Sequence, residues 1–152
     1  MSEVCIIGGG ASGLMAALTA LSDPRNRVTL LERQGRVGRK LLSTGNGRCN
    51  LSNRHASPVH YHGADPDFCR PALEAFPVAE TLRFFHRLGL VTVEEPDGKL
   101  YPRSNTANSV LDVLRLALEG QPDRLTLRTG APVTSLKCRG QGFTVTLESG
   151  EV

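Results

Sequence analysis

A short, largely apolar run, Glu3-Val4-Cys5-Ile6-Ile7, leads straight into Gly8-Gly9-Gly10-Ala11-Ser12-Gly13. No other feature of the chain restricts its fold so strongly. Residues 3–7 read as a buried parallel strand. Residues 11–22 are rich in helix formers and apolar all round, which predicts a buried helix, stopped by Asp23-Pro24. Residues 28–31, Val-Thr-Leu-Leu, supply a second strand. Strand, glycine turn, helix and strand within about thirty residues make a βαβ unit. The glycines fit G-x-G-x-x-G at Gly8, Gly10 and Gly13. Gly8 suits the tight turn, Gly10 the approach of backbone to a pyrophosphate, and Gly13 the packing of helix on strand. Ala11 and Ser12 open the helix, whose N–H groups and positive dipole end face the phosphates. Glu32 follows nineteen residues after Gly13, at the end of the second strand, where a ribose hydroxyl would be held. Its carboxylate opposes a 2′-phosphate and so argues against NADP at this site, while Arg33 beside it keeps that alternative open.

Glycine and charge are both crowded toward the front. Eight of the 16 glycines lie in the first 47 residues. Residues 25–54 carry eight Arg or Lys against the single acid Glu32, or +7, whereas the rest carries ten basic and fourteen acidic residues, or −4; the net +3 hides this asymmetry. A cationic, glycine-rich segment suits close backbone approach to an anion.

Residues 34–64 hold few periodic apolar positions and read as functional loops with one short helix near 38–42. Helices are predicted at 66–76 and 78–88, divided by Pro77, and strands at 90–95 and 99–102 around the Pro96-Asp97-Gly98 turn. A helix at 107–119 shows Val110, Leu114, Ala117 and Leu118 on one face, with Asn105 or Thr106 at its cap. Strands follow at 124–128, 131–138 and 142–148. The chain thus reads as α/β: a Rossmann-like FAD/NAD(P)-binding domain with a parallel sheet plus β-hairpin additions.

The βαβ unit does not choose between NAD and FAD. Past Glu32 comes Arg33-Gln34-Gly35-Arg36-Val37-Gly38-Arg39-Lys40-Leu41-Leu42, with glycines and cations close to the ribose acid. It resembles the second signature of two-dinucleotide-binding flavoproteins. Then come Ser43-Thr44-Gly45-Asn46-Gly47-Arg48-Cys49-Asn50-Leu51-Ser52-Asn53 and, later, Gly98-Lys99-Leu100-Tyr101-Pro102-Arg103-Ser104. Together these resemble the bacterial flavoproteins that include the BaiN-type NAD(P)/FAD-dependent oxidoreductases and the so-called aminoacetone oxidases. The likeness is dense over 4–53 and returns at 98–113. It implies extended FAD on a doubly wound sheet and an enzyme that moves two electrons, with NAD(P)H a candidate donor and a small molecule as substrate. It also implies that Gly45, Gly47, Arg48, Cys49 and Asn50 lie near the flavin ring, and that Val133 meets adenine through its backbone. Such flavoproteins also have an Ala-Thr-Gly-type turn, an inserted substrate domain and a C-terminal flavin-contacting segment. None is found in 1–152, so the expectation is an incomplete N-terminal FAD-binding domain.

Several residues carry two readings. Arg39 and Lys40 either neutralise the pyrophosphate or form a solvated basic loop. Cys49 beside Arg48 could be redox-active, but no resolving cysteine is near and a packing role is preferred. Val133 is an adenine contact or a core valine. Cys5 reads as core, Cys69 and Cys138 as structural, Phe85 as core and Phe84 as core or interface. His55, His60 and His62 match no zinc spacing, so no metal is expected. The cationic stretch lacks aromatic residues for base stacking, so nucleic acid is not expected as a partner. No run of 18 apolar residues occurs, so no transmembrane helix is expected; the start of the sequence leads to no expectation of a signal peptide, and four cysteines without a C-x-x-C pair fit a reducing cytoplasm. No acid–base pair stands out, so no catalytic residue is named. Two rival readings remain: an NAD-dependent dehydrogenase domain, and a non-catalytic, truncated flavoprotein remnant.

Overall fold

The computed structural model describes residues 2–150. In chain order its elements are β1 (Ser2–Ile7), α1 (Ala11–Leu21), β2 (Asn26–Leu31), β3 (Ser52–Asn53), α2 (Arg70–Ala75), α3 (Val78–Arg87), β4 (Thr92–Glu94), β5 (Lys99–Pro102), α4 (Ala107–Glu119), β6 (Leu125–Arg128), β7 (Val133–Arg139) and β8 (Gly142–Leu147). They form two compact units, one built from residues up to Leu41 and from Leu114 onward, the other from Leu42 to Val113.

In the first unit a parallel sheet runs β1-β2-β6, with Ile6 opposite Leu30 and Leu30 opposite Leu127. The Rossmann-type βαβ unit is therefore present as the sequence predicts. Leu14, Ala17 and Leu21 form the buried stripe of α1, and Val28, Leu30 and Leu31 the buried side of β2. Arg124 ties the end of α1 to the start of β6 by donating to the Leu21 and Asp23 carbonyls at 3.0 Å each. β7 and β8 pair antiparallel, with a register irregularity between Val133 and Ser135. Leu31, Ala131 and Leu147 close a small core, against which Val133 and Val145 pack.

Two burial expectations are overturned. β1 is parallel but lies at the sheet edge with β2 as its partner, so Ile7 is 51% exposed and Cys5 is exposed rather than core. The α1 helix is apolar all round yet buries one stripe, leaving Ala11, Ser12, Ala16 and Thr19 exposed. Apolar composition gives eligibility for burial, whereas the number of covering layers decides it. Cys138, expected to be structural, is exposed on β7.

In the second unit β3, β5 and β4 form an antiparallel sheet in the order β3-β5-β4. The β4–β5 hairpin turns at 96–98 as expected, with Asp97 left-handed at φ 64°. Helices α2 and α3 are separated at Pro77. Phe85 is buried, and edge-to-face contacts link Phe76, Phe84 and Phe85. The helix at 107–119 has the predicted bounds; Ala107, Val110 and Leu111 are its buried residues in this unit, and Leu114 and Leu118 those in the first. Thr106 caps it with a long bond, 3.4 Å, from the Asn108 N–H. The short helix expected at 38–42 is displaced: helical turns span Leu41–Gly47 and are interrupted at Thr44, Gly45 and Asn46. Gly45 and Asn46 there take left-handed dihedrals, which no right-handed helix can continue.

Candidate functional site

The glycine turn joins β1 to α1. Gly8, at φ +105°, makes the turn, and its N–H donates to Leu31 O at 2.7 Å. A Cβ on Gly13 would stand 1.8 Å from Gly8 O, so only glycine lets the helix start this close to the strand. Gly10 differs: its φ is −78°, and a Cβ would meet no atom within 4 Å. Its hydrogen is thus needed by nothing in the chain itself. Gly10 is the N-cap of α1, makes no side-chain cap bond, and the first turn contains no acid. The opening N–H groups and the dipole of an 11-residue helix consequently receive no cap or counter-charge from the helix's own first turn. Such an end receives an anion.

Glu32 is 9% exposed. Its Oε2 accepts from Gly9 N–H at 2.6 Å and its Oε1 from Gln34 N–H at 2.7 Å. The acid read from sequence as a ribose ligand therefore also fastens the glycine turn to the end of β2. Gly9 was not assigned a task by the glycine fingerprint, yet it is tightly constrained. A Cβ there would lie 2.6 Å from Val37 Cγ1 and 3.1 Å from Glu32 Cβ. Three glycines in succession, where the fingerprint needs two, were the available signal.

The segment after Glu32 doubles back on the turn. Gly38 N–H donates to Gly9 O at 2.8 Å, and Val37 is buried beside Gly9. Gly130 N–H donates to Gln34 O and Ala131 N–H to Glu32 O, which brings the start of β7 alongside. Arg33 and Arg39 are exposed, and Arg39 Nη1 donates to Gln34 Oε1 at 3.0 Å. Lys40 is exposed as well. Val133 is half-buried and packs on the small core of this unit. The structure thus gathers Gly8, Gly10, Ala11, Ser12 and Gly13 at the β1–α1 turn, with Glu32 bonded to it through Gly9.

The Gly45–Asn50 segment belongs to the second unit and is pinched shut. Arg48 N–H donates to Gly45 O and Cys49 N–H to Thr44 O. Gly45, Asn46, Gly47 and Cys49 all have positive φ. A Cβ on Gly45 would lie 2.8 Å from Asn50 N and 3.4 Å from the Tyr101 ring. With its amide oriented to satisfy the network, Asn50 donates to Ser52 O at 2.7 Å and Leu100 O at 3.2 Å.

Arg48 is held from three sides. Its guanidinium lies 4.1 Å from the Tyr101 ring centroid, donates through Nε to Asn105 Oδ1, and pairs through Nη2 with Glu95. The Glu95 hydrogen bond raises its pKa above the usual arginine value. Glu95, Tyr101 and Asn105 are 47, 53 and 57 residues away, so local sequence gave no sign of this clamp.

Cys49 is buried, and burial pushes its thiol pKa up, partly offset by a hydrogen bond with Thr44. This is the packing environment, not that of an activated thiolate. Among the described residues no three or more His, Cys, Asp or Glu side chains gather in a way that could hold a metal. None of the described helices is long and apolar enough to cross a membrane.

An uncapped helix end, an open space over Gly10 and an acid at the end of the next strand fit the pyrophosphate and ribose of a dinucleotide. The fold is that of a Rossmann-type domain of the kind found in FAD-binding oxidoreductases. A family model for the HI0933-like protein Rossmann domain matches residues 2–152, and the chain belongs to that family. It is 45% identical over 146 residues to a 3-dehydro-bile acid delta(4,6)-reductase of Clostridium scindens, covering 95% of this chain and 35% of that protein. It is 31% identical over 145 residues to a ribosomal RNA dihydrouridine synthase of Escherichia coli, again covering 95% of this chain and 35% of the relative. The chain thus spans about a third of the length of these curated relatives. Among solved structures, Thermovibrio ammonificans THI4 aligns with a TM-score of 0.56 at 18% identity, over 96% of this chain and 46% of that one. The open conformation of a flavocytochrome c3 fumarate reductase gives the same TM-score at 16% identity, over 91% of this chain and 28% of that one. These two show the fold alone.

Proposed function

We propose that this chain is the FAD-binding part of a reductase that saturates a carbon–carbon double bond, with NAD(P)H as electron donor. The observation that carries the cofactor half is the pairing of the uncapped α1 end at Gly10 with the buried Glu32 carboxylate. The direction is supported by the two relatives' names, a delta(4,6)-reductase and a dihydrouridine synthase, which share the addition of hydrogen across a double bond. That the enzyme continues beyond this domain is supported by the 35% share of each relative that the chain spans.

Gly10, Ala11 and Ser12 would hold the pyrophosphate through backbone N–H groups, and Glu32 the adenosine ribose. Arg33, Arg39 and Lys40 would balance phosphate charge. Val133 would lie along the adenine, and Gly45, Gly47 and Asn50 would present backbone and amide groups to the flavin edge. Arg48 and Cys49 would act on that loop from within, as clamp and packing residue. When bound, FAD supplies hydride chemistry, while the protein supplies position and electrostatics. Four free thiols suit a reducing cytoplasm as the place of work.

The test is anaerobic. Purified protein should carry flavin bands, bleach on adding NADH or NADPH, and recover on adding an α,β-unsaturated carbonyl compound. A colourless protein that binds NADH would favour the dehydrogenase reading and sink this one. A second reading, a polyanionic RNA substrate, is favoured by exposed Arg33, Arg36 and Arg39 and by the Escherichia coli relative. It requires RNA affinity that falls steeply with salt.

A further inference from the structure

We infer that a cavity within the Leu42–Val113 unit is a binding site for a neutral, mainly apolar small molecule that carries a carbonyl or hydroxyl oxygen. The cavity measures about 520 Å³, within the size range of small-molecule sites. Its wall begins at Leu51, one residue beyond the Gly45–Asn50 loop. Half-buried Leu51, Ala56 and Leu73 line it with apolar side chains, and exposed His55, His60 and Tyr61 line it as well. Phe68 braces Tyr61 edge-on at 6.4 Å between ring centroids.

The wall is set by Asn53. Its Nδ2 donates to Asp97 O and its Oδ1 accepts from His55 N–H, both at 2.8 Å, so its amide ties the His55 loop to the β4–β5 turn. With that amide engaged internally and the Asp97 carboxylate facing Lys99 at 3.6 Å, the groups left to meet a neutral ligand are imidazoles, the Tyr61 phenol and the Ser52 hydroxyl. Each can donate to a carbonyl oxygen or exchange bonds with a hydroxyl.

Charge excludes the polyanion here. No Lys or Arg lines the cavity. The neighbouring cations are already paired, Arg54 with Glu94 at 2.9 Å, Arg70 with Asp67 at 2.7 Å and Lys99 with the lining Asp97 at 3.6 Å. A phosphate would enter beside the Asp97 carboxylate with no counter-charge of its own.

The inference rests on the reductase reading only in calling this ligand the substrate; binding itself does not depend on it. The FAD-loaded protein is titrated calorimetrically with testosterone, with cyclohexenone and with a uridine oligomer. Testosterone should bind, cyclohexenone more weakly, and the uridine oligomer not at this site. Ala56→Trp fills the cavity and should weaken testosterone at least about tenfold with flavin content unchanged. His60→Ala, an exposed truncation that leaves the fold intact, should weaken it by about threefold to tenfold. Three results overturn the site: no testosterone binding to the wild type, equal binding in both variants, or a uridine oligomer that binds and is lost in Ala56→Trp. If testosterone binds and Ala56→Trp removes it, yet no double bond is reduced, the site stands and the reductase reading falls. If reduction occurs and Ala56→Trp leaves its KM untouched, the reading stands and the site falls.

Discussion

Replacing Gly10 or Gly13 by alanine should have different effects on the empty protein, and Gly10→Ala should weaken FAD binding. A Cβ on Gly13 would sit 1.8 Å from Gly8 O, more than 1 Å inside the closest approach real Cβ atoms make. The partner is backbone, so the helix start must shift away from the strand. That overpacking should cost about 1–3 kcal/mol of stability before any ligand is added. Gly10 has φ −78° and ψ −173°, an extended conformation open to any residue, and its Cβ would meet nothing within 4 Å. Alanine there should be neutral or stabilise the empty protein by about 0.4–1 kcal/mol, through lost freedom of the unfolded chain. In the complex the same methyl would occupy the space assigned to the pyrophosphate. A loss of at least about a hundredfold in FAD affinity, or ~2.7 kcal/mol, is expected. Urea unfolding of the apo-protein and flavin-fluorescence titration measure the two effects separately. A Gly10→Ala protein that holds FAD as tightly as the wild type would refute the placement of the phosphates. An unfolded Gly10→Ala protein would refute the steric account.

Glu32→Ala leaves the buried Gly9 N–H and the Gln34 N–H without their acceptor, so the apo-protein should lose about 1–3 kcal/mol even without ribose to bind, read from urea midpoints. Arg48→Gln removes the ring contact and the bonds to Glu95 and Asn105, so the urea midpoint should fall; no change in it would show the clamp to be idle. Because burial raises the Cys49 thiol pKa, the folded state keeps its proton longer than the unfolded chain does. Stability should therefore be intact below the unfolded thiol pKa and fall as pH rises through it toward the folded value, a slope that Cys49→Ala should reduce in pH-dependent unfolding. Iodoacetamide should label the exposed Cys138 first, then Cys5, whose thiol pKa partial burial raises, and last the buried Cys49 and Cys69; rapid labelling of Cys49 by mass spectrometry would contradict its packing role.

The parts legible in the sequence were those written in short-range terms. The strand–glycine–helix–strand unit, the Pro96-Asp97-Gly98 hairpin and the helix ending at Glu119 each depend on turn chemistry or periodicity within a dozen residues. The need for glycine at position 13 was also legible, because Gly8 lies only five residues away. What tertiary structure decided was every question of partner. β1 has the same apolar composition as a buried strand, and its place at the edge of the sheet exposes Cys5 and Ile7. The family resemblance implies that Arg48 lies near the flavin ring, and the fold adds its clamp to Glu95, Tyr101 and Asn105. Glu32 keeps its predicted position but gains a second task at Gly9, 23 residues away. Local pattern fixes backbone shape because dihedral preference and turn chemistry act between neighbours. Partnership depends on which distant segments the fold brings within hydrogen-bond reach, and that distance is a property of the packed chain alone.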